Sequence, residues 1–230
     1  MVLETGRDSK NADFSSVFIG FIVQAGMSEK VVGKPGRLKF LKSASDLTGC
    51  PEDLVPEVAI AGRSNAGKST FINGLQGGAI AKVSGKPGKT RLLNFFEVGD
   101  NYRLVDMPGY GFASVSASEM KQWQSMIEGY LSLRGNLRGL ILIMDIRRNW
   151  TQDEQMLVDF MSARELPSIV VLTKADKLKR GPGLQRKKKL ESDSGLPCFL
   201  CSQPKKQGFY EVENFIFDNW VESQGVSHED

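Results

Sequence analysis

One stretch constrains this chain more than any other: Gly62-Arg63-Ser64-Asn65-Ala66-Gly67-Lys68-Ser69-Thr70. It follows a short apolar run, Val58-Ala59-Ile60-Ala61, and precedes a segment compatible with a helix. G-x-x-x-x-G-K-S therefore stands in the strand–loop–helix setting that its chemistry needs. Gly62 and Gly67 allow backbone angles that a side chain would penalise. The loop amides can then turn inward and form an anion nest above the helix N-terminus. Lys68 adds a point charge for the outer phosphates of a nucleotide, and Ser69 offers a hydroxyl to magnesium (Mg2+). A plain Gly-rich strand–helix turn would show the same pattern, so the downstream residues must decide between the two.

The rest of the chain sets limits. At 230 residues it can bury one sizeable core, and a formal charge of +3 is too small to diagnose nucleic-acid binding without local clustering. Cys198-x-x-Cys201 has the spacing of a zinc or redox motif, but there is no second cysteine pair and the only histidine is His228. The pair also sits in an apolar run, Pro197 to Cys201, so both are expected as buried packing cysteines. A single histidine in the tail excludes a Ser-His-Asp triad. The apolar run Val17 to Val23 is too short to span a bilayer, and Glu4, Asp8 and Asp13 spoil it as a signal peptide. Residues 1–34 read as an N-terminal extension without stable order, with Met27 as an alternative start. Residues 35–222 read as the globular domain and 223–230 as a frayed tail.

Strand signals fall at 57–61, 93–98, 102–106, 139–145, 167–173 and 197–201. Leu140 to Met144 and Ile169 to Leu172 are unbroken apolar runs, which suit parallel strands covered on both faces. Gly99-Asp100-Asn101 marks a hairpin between the second and third strands. Helix signals fall at 69–76, 117–133, 152–164, 183–191 and 209–222; Ser116-x-x-Glu119 and Thr151-x-x-Glu154 are capping boxes. A further short strand or helix near Leu38 to Leu41 is left open. The alternation predicts a three-layer α/β fold: a mostly parallel six-stranded sheet with one antiparallel edge strand.

In such folds ligands bind at the carboxyl ends of the strands. Asp106-Met107-Pro108-Gly109 follows one strand: the carboxylate can serve a Mg2+ shell and the Gly109 amide can meet a γ-phosphate, although D-x-P-G is also a common turn. Thr173-Lys174-Ala175-Asp176 follows another. Asp176 can accept from N1–H and the 2-amino group of guanine, two donors that adenine lacks, with Lys174 across the base plane; a strand-end turn is the plainer reading. Ser202, Gln203 and then Lys205-Lys206-Gln207-Gly208 follow the last strand, where backbone amides could meet the guanine O6. Between Leu75 and Asn94 lies a Gly- and Lys-rich stretch in which Thr90 is placed to be a second hydroxyl ligand of Mg2+, ordered by the γ-phosphate and released without it.

Together, Gly62 to Ser69, Gly88-Lys89-Thr90-Arg91, Asn94-Phe95-Phe96, Asp106-Met107-Pro108-Gly109-Tyr110-Gly111, Thr173 to Asp176 and Lys205 to Gly208 resemble the bacterial EngB/YihA/YsxC family of P-loop GTPases over about residues 35–222. The resemblance implies a Ras-like fold, GTP and GDP as ligands, Mg2+ dependence, and a role in assembly of the large ribosomal subunit, with a link to cell division and septum formation. It implies a nucleotide site of Gly62, Arg63, Ser64, Asn65, Ala66, Gly67, Lys68, Ser69, Gly88, Lys89, Thr90, Arg91, Leu92, Asp106, Met107, Pro108, Gly109, Thr173, Lys174, Ala175, Asp176, Cys201, Ser202 and Gln203. Lys68, Thr90 and Gly109 are the catalytic candidates, and Ser69 and Thr90 the metal ligands. The residues before Met27 depart from the compact family pattern, and Cys201 stands where the family often has an aromatic or serine-type residue.

Tyr110 occupies the position of the water-orienting glutamine of many such enzymes and lacks its amide. Slow intrinsic hydrolysis, near or below about 10⁻⁴ s⁻¹, is the expectation. Help would come from a partner's arginine or RNA, or from a monovalent cation; Asn65 matches the asparagine that potassium-dependent relatives use, which points to K+. Arg91 is a weaker candidate for an arginine acting in cis. Basic clusters at Lys177 to Arg180, Arg186 to Lys189 and Lys205-Lys206 read either as solvated faces or as contacts to ribosomal RNA. The expected partner is the large ribosomal subunit or its precursor, bound by a cytoplasmic monomer, with no membrane or DNA. A small-molecule P-loop kinase has no use for Thr173-Lys174-x-Asp176, and a module that binds GTP only as a structural cofactor would not turn it over; both remain alternatives here.

Overall fold

Leu140 to Met144 and Ile169 to Leu172 are apolar at every position because both faces of their sheet are covered. Leu140, Leu142, Val170 and Leu172 face one layer, while Ile141, Ile143, Ile169 and Val171 face the other. The structure is a computed structural model that describes residues 38–52, 54–81, 92–110 and 117–222, with only the backbone described over 117–124. All of these belong to one compact unit of the chain, Val31–Asp230.

The elements run β1 (Leu38–Ala44), β2 (Glu57–Gly62), α1 (Lys68–Gln76), β3 (Leu93–Val98), β4 (Tyr102–Asp106), α2 (Ala117–Leu133), β5 (Leu137–Asp145), α3 (Gln152–Ser162), β6 (Ser168–Thr173), α4 (Arg180–Ser194), β7 (Cys198–Leu200) and α5 (Phe209–Ile216), which continues into a π-helical turn, Phe217–Val221. The sheet order is β1-β3-β4-β2-β5-β6-β7. Residues of α2, α3 and α4 cover one face, among them Ile127, Tyr130, Leu131, Val158, Met161 and Leu190. Residues of α1 and α5 with the π turn cover the other: Phe71, Ile72, Leu75, Phe209, Val212, Ile216 and Trp220. Trp220 lies directly on β5, where a side-chain carbon at Gly139 would come within 2.8 Å of the indole. That close approach requires glycine.

The sheet corrects one expectation. It has seven strands instead of six, because Leu38–Ala44 joins as β1. The strand running against the others is β3, antiparallel to both β4 and β1, so it lies second from the edge. The reason the sequence hid β1 is local. Its register shifts between Phe40 and Lys42, and only Leu38 and Ala44 are buried, so no clean alternation survives. The expected hairpin is present: Gly99 turns with φ 54° and Val98 pairs with Tyr102. The capping box at Thr151 and Glu154 is present too. α3 ends at Ser162, two residues short of the expected boundary, and the chain turns at Glu165 with φ 58°. The capping box at Ser116, the extension over residues 1–34, the Met27 start and the tail 223–230 lie outside the described residues.

The cysteine pair is settled by the two-residue period of a strand. Cys198 packs in the layer of α2, α3 and α4, and Cys201 in the layer of α1 and α5. Side chains three apart on an extended chain point to opposite faces and cannot share a metal. Both thiols are free and buried, and burial pushes Cys198 up to about 12. Among the described residues no group of three or more His, Cys, Asp and Glu forms a metal cluster, and no helix is long and apolar enough to cross a membrane.

Candidate functional site

The central strand β2 has β4 on one side and β5 on the other, so the order of connection reverses there and a crevice opens at the strands' carboxyl ends. Gly62 closes β2. A side-chain carbon there would stand 2.5 Å from the Ile143 carbonyl of β5. The chain then turns through Asn65 at φ 60° and Gly67 at φ 106° before α1 begins at Lys68. Ala66 N–H donates to the Arg63 carbonyl (3.0 Å) and Phe71 N–H to the Gly67 carbonyl (2.8 Å). Ser69 is in the first helical turn.

Two other segments close on this loop. Met107 N–H donates to Ile60 O (3.0 Å) and Ser64 N–H to Tyr110 O (3.2 Å), which lays Asp106 to Tyr110 along it. A side-chain carbon at Gly109 would be 3.2 Å from the Ser64 nitrogen and 3.3 Å from Lys68 Nζ. Any residue larger than glycine would therefore crowd the lysine. From β6, the Thr173 hydroxyl lies 2.5 Å from Ala66 O and 3.0 Å from Met144 O, and its one proton serves one of them at a time. Lys174 has φ 57° and donates from Nζ to Asn65 O (3.0 Å). A non-glycine residue in this region costs about 1–3 kcal/mol, so the surroundings must hold it there.

From β7, Cys201 O accepts from Ala175 N–H (3.1 Å), and the fully buried Ser202 donates its hydroxyl to Asp176 Oδ1 (2.9 Å). Burial works against the Asp176 charge, yet Ser202, the local backbone and Lys177 keep its carboxyl below the usual range. Gly208 turns at φ 88° so closely under Leu200 O that a side-chain carbon would come within 1.9 Å. Gly67, Thr173, Lys174, Asp176, Cys201 and Gln203 share one pocket, of about 130 Å³. The structure thus brings together residues 62–69, 106–109, 173–176 and 201–203 at one end of the sheet. Leu92 stands just before β3 with 38% of its surface exposed. Gly88, Lys89, Thr90 and Arg91 lie outside the described residues.

Asp106 carries the electrostatic signature of the site. It is buried, Oδ1 has no hydrogen-bond partner among the described residues, and the nearest cation is Lys68 Nζ at 3.9 Å. Burial pushes its carboxyl up to about 6, against the pull of Lys68. A buried acceptor aimed at nothing is costly and asks for a further positive charge. Ser69 follows Lys68 in the first turn of α1 and adds a hydroxyl, so the candidate donor set is all oxygen, which fits Mg2+ held partly by phosphates and water.

A family profile described as "50S ribosome-binding GTPase" matches residues 57–174. A relative from Bdellovibrio bacteriovorus named "Probable GTP-binding protein EngB" is 54% identical over 192 residues, covering 83% of this chain and 96% of the relative. The chain belongs to the EngB family of GTP-binding proteins. An EngB of Streptococcus thermophilus is 45% identical over 195 residues, covering 83% of this chain and 98% of that one. A crystal structure titled as a probable GTP-binding protein engB shares the fold at TM-score 0.58 and 24% identity, over 70% of this chain and 97% of that chain. As an EngB protein this chain is a P-loop GTPase that binds guanine nucleotide.

The EngB fold also shows contacts that no single stretch of the sequence reveals. The Tyr110 hydroxyl donates to Glu154 Oε1 (3.0 Å), and the Thr151 backbone N–H donates to Oε2 of the same carboxylate (3.0 Å), as does the Thr151 hydroxyl. Burial, and then the Glu154 charge, push the Tyr110 phenol well up, so it stays neutral. Arg63 meets Asp153 at 3.0 Å. The phosphate loop and the D-M-P-G-Y segment are thus both tied to the start of α3. Asp145, at the end of β5, holds Lys174 Nζ at 3.0 Å. Its signal was available: it follows an unbroken apolar run, as Asp106 and Asp176 follow their strands.

Proposed function

We propose that this EngB protein is a slow GTP-hydrolysing switch that acts in the cytoplasm on the large ribosomal subunit or its precursor, with a consequent role in cell division. The observation that carries the reading is the convergence of Lys68, Gly109, Lys174 and Asp176 on one crevice beside β2. GTP enters with its base between Lys174 and Asp176 and its phosphates over the amides of Asn65, Gly67, Lys68 and Ser69, since the Ser64 and Ala66 amides are already bonded within the protein. Lys68 neutralises the outer phosphates, and the Gly109 amide contacts the γ-phosphate. Ser69 and Thr90 would supply hydroxyl ligands to Mg2+, and Asp106 would serve its shell. When bound, the metal neutralises charge on the departing diphosphate.

Slow turnover follows from Tyr110. Its side chain is committed to Glu154 and carries no amide to orient water. Intrinsic hydrolysis near or below about 10⁻⁴ s⁻¹ is consistent with that, and acceleration then needs outside help. K+ at Asn65 is one source, and turnover several-fold faster in K+ than in Na+ is expected; equal turnover removes Asn65 from that role. The kinase alternative gains no support from a pocket lined by Lys174 and Asp176.

The ribosomal partner fits the basic surface only in part. Lys187 pairs with Glu191 (3.4 Å), Lys189 with Asp193 (3.0 Å), and Arg186 is spent on the carbonyls of Ile146 and Arg148 and on Asn149. Lys177 pairs with Asp176 (3.5 Å), and exposed Lys179, Arg180, Lys188, Lys205 and Lys206 remain as phosphate contacts. Sedimentation with large ribosomal subunits is the test. Binding is expected with a non-hydrolysable GTP analogue, to weaken with GDP, and to fall about tenfold or more between 50 and 200 mM salt if several phosphates are contacted. Equal sedimentation with both nucleotides, or none with either, would overturn the switch reading.

A further inference from the structure

We propose that Asp145 is a positioning residue for guanine nucleotide: its carboxylate fixes the Lys174 ammonium at the base site. Asp145 ends β5 and lies directly beside Thr173, the residue before Lys174, in the parallel ladder with β6. Ile146 N–H donates to Thr173 O (3.1 Å), so the two strand ends are locked in register where the side chains meet. The side chain is 5% exposed, and both oxygens are fully used. Oδ1 accepts from the Arg147 backbone N–H (3.1 Å) and from Arg147 Nε (2.9 Å). Oδ2 accepts from Arg147 Nη2 (2.6 Å) and lies 3.0 Å from Lys174 Nζ.

The arrangement has a direction. The guanidinium fork is planar and grips the carboxylate edge-on, so the carboxylate cannot rotate. One lone pair of Oδ2 is left, and Lys174 takes it. The same ammonium donates on its other side to Asn65 O of the phosphate loop (3.0 Å). A lysine has a four-carbon stem and loses much rotamer freedom when ordered. Here that freedom is restricted by the protein's own contacts, because the ammonium is stretched between Asp145 of β5 and the loop. Ordering done beforehand appears as tighter ligand binding. A merely structural reading is available, since the bond from Arg147 N–H to Oδ1 is a turn two residues long. That turn explains Oδ1 and leaves the Oδ2–Lys174 contact without a purpose.

The inference rests on the guanine-site reading above, and the test separates the two. GDP affinity with Mg2+ and melting temperature are measured for Asp145→Asn, Lys174→Met and the double variant. Asp145→Asn is expected to weaken GDP by about ten- to hundredfold, the range for one hydrogen bond to a charged group, mainly through faster release. The double variant should be no weaker than Lys174→Met alone. GDP affinity within twofold of wild type in Asp145→Asn, or losses that add in full in the double variant, would overturn the proposal. If Lys174→Met itself binds GDP like wild type, the base site is misplaced and the inference falls with it. Should Asp145→Asn not fold, Arg147→Met takes its place, since this arginine side chain is 53% exposed. Releasing the fork should speed GDP release about two- to fivefold in the wild-type background and not in Lys174→Met. An equal effect in both backgrounds would overturn the coupling.

Discussion

Asp176→Asn is expected to lower affinity for GTP and GDP by about two to three powers of ten and to raise affinity for xanthosine nucleotides. Two hydrogen bonds from guanine to a carboxylate are worth about 1.5–3 kcal/mol each, and every 1.4 kcal/mol is tenfold. An asparagine keeps one acceptor and turns the other into a donor that faces the guanine 2-amino group. Xanthine carries a carbonyl there, which that donor satisfies. The structure makes the swap clean. Ser202 is fully buried and donates to Asp176 Oδ1 at 2.9 Å, so the asparagine oxygen stays at that hydroxyl. The amide nitrogen is then left at the Oδ2 position, which in the aspartate stands 3.5 Å from Lys177 Nζ. The fold should be indifferent, since Asp176 sits in a short turn outside the core. Competition of GTP and XTP against a fluorescent nucleotide checks it. Unchanged preference for guanine would remove Asp176 from base recognition.

The phosphate loop was readable in advance because its chemistry is local. Glycines, a lysine and a serine within nine residues name their own backbone angles and their own ligand. The four segments at strand ends were readable for a related reason, as parallel strands deliver their last residues to one crevice. Contacts between those segments were not. Thr173 reaches Ala66 across 107 positions, Lys174 reaches Asn65 across 109 and Tyr110 reaches Glu154 across 44. Which distant residues meet depends on strand order and register, and neither is written in any one segment. Glu154 shows the limit well. As the third residue of a capping box it had a complete local explanation, and that explanation hid its second partner, Tyr110. β1 failed in another way: a bulge at its middle broke the alternation that marks a strand.

At the far end of β2 from the nucleotide crevice, Glu57→Ala is expected to cost about 3–5 kcal/mol of stability, the range for removing one member of a buried ion pair. Glu57 is fully buried. Oε2 accepts from the Tyr130 hydroxyl (3.0 Å) and Arg134 Nε (2.9 Å), and Oε1 from Arg134 Nη2 (2.7 Å), with Arg103 Nη1 at 3.5 Å. The two arginines also reach back to carbonyls of the segment before β2, Arg134 to Pro51 (2.5 Å) and Arg103 to Glu52 (2.6 Å). Alanine would leave two guanidinium groups and a phenol facing a void, each arginine side chain only 11% exposed. At about 2–4 °C per kcal/mol for a domain of this size, melting should fall by about 6–20 °C. The loss would reflect stranded charges, not a large net worth of the network, because well-packed apolar replacements of buried ion pairs are often neutral. Glu57→Leu combined with Arg134→Met should therefore recover much of what Glu57→Ala loses. Nucleotide affinity of the folded fraction should stay within about twofold, since a six-residue strand at about 3.3 Å per residue separates Glu57 from the phosphate loop. A melting temperature unmoved by Glu57→Ala would mean that the arginines find water once the carboxylate is gone. Lost GDP affinity at unchanged stability would instead place this network in the nucleotide response.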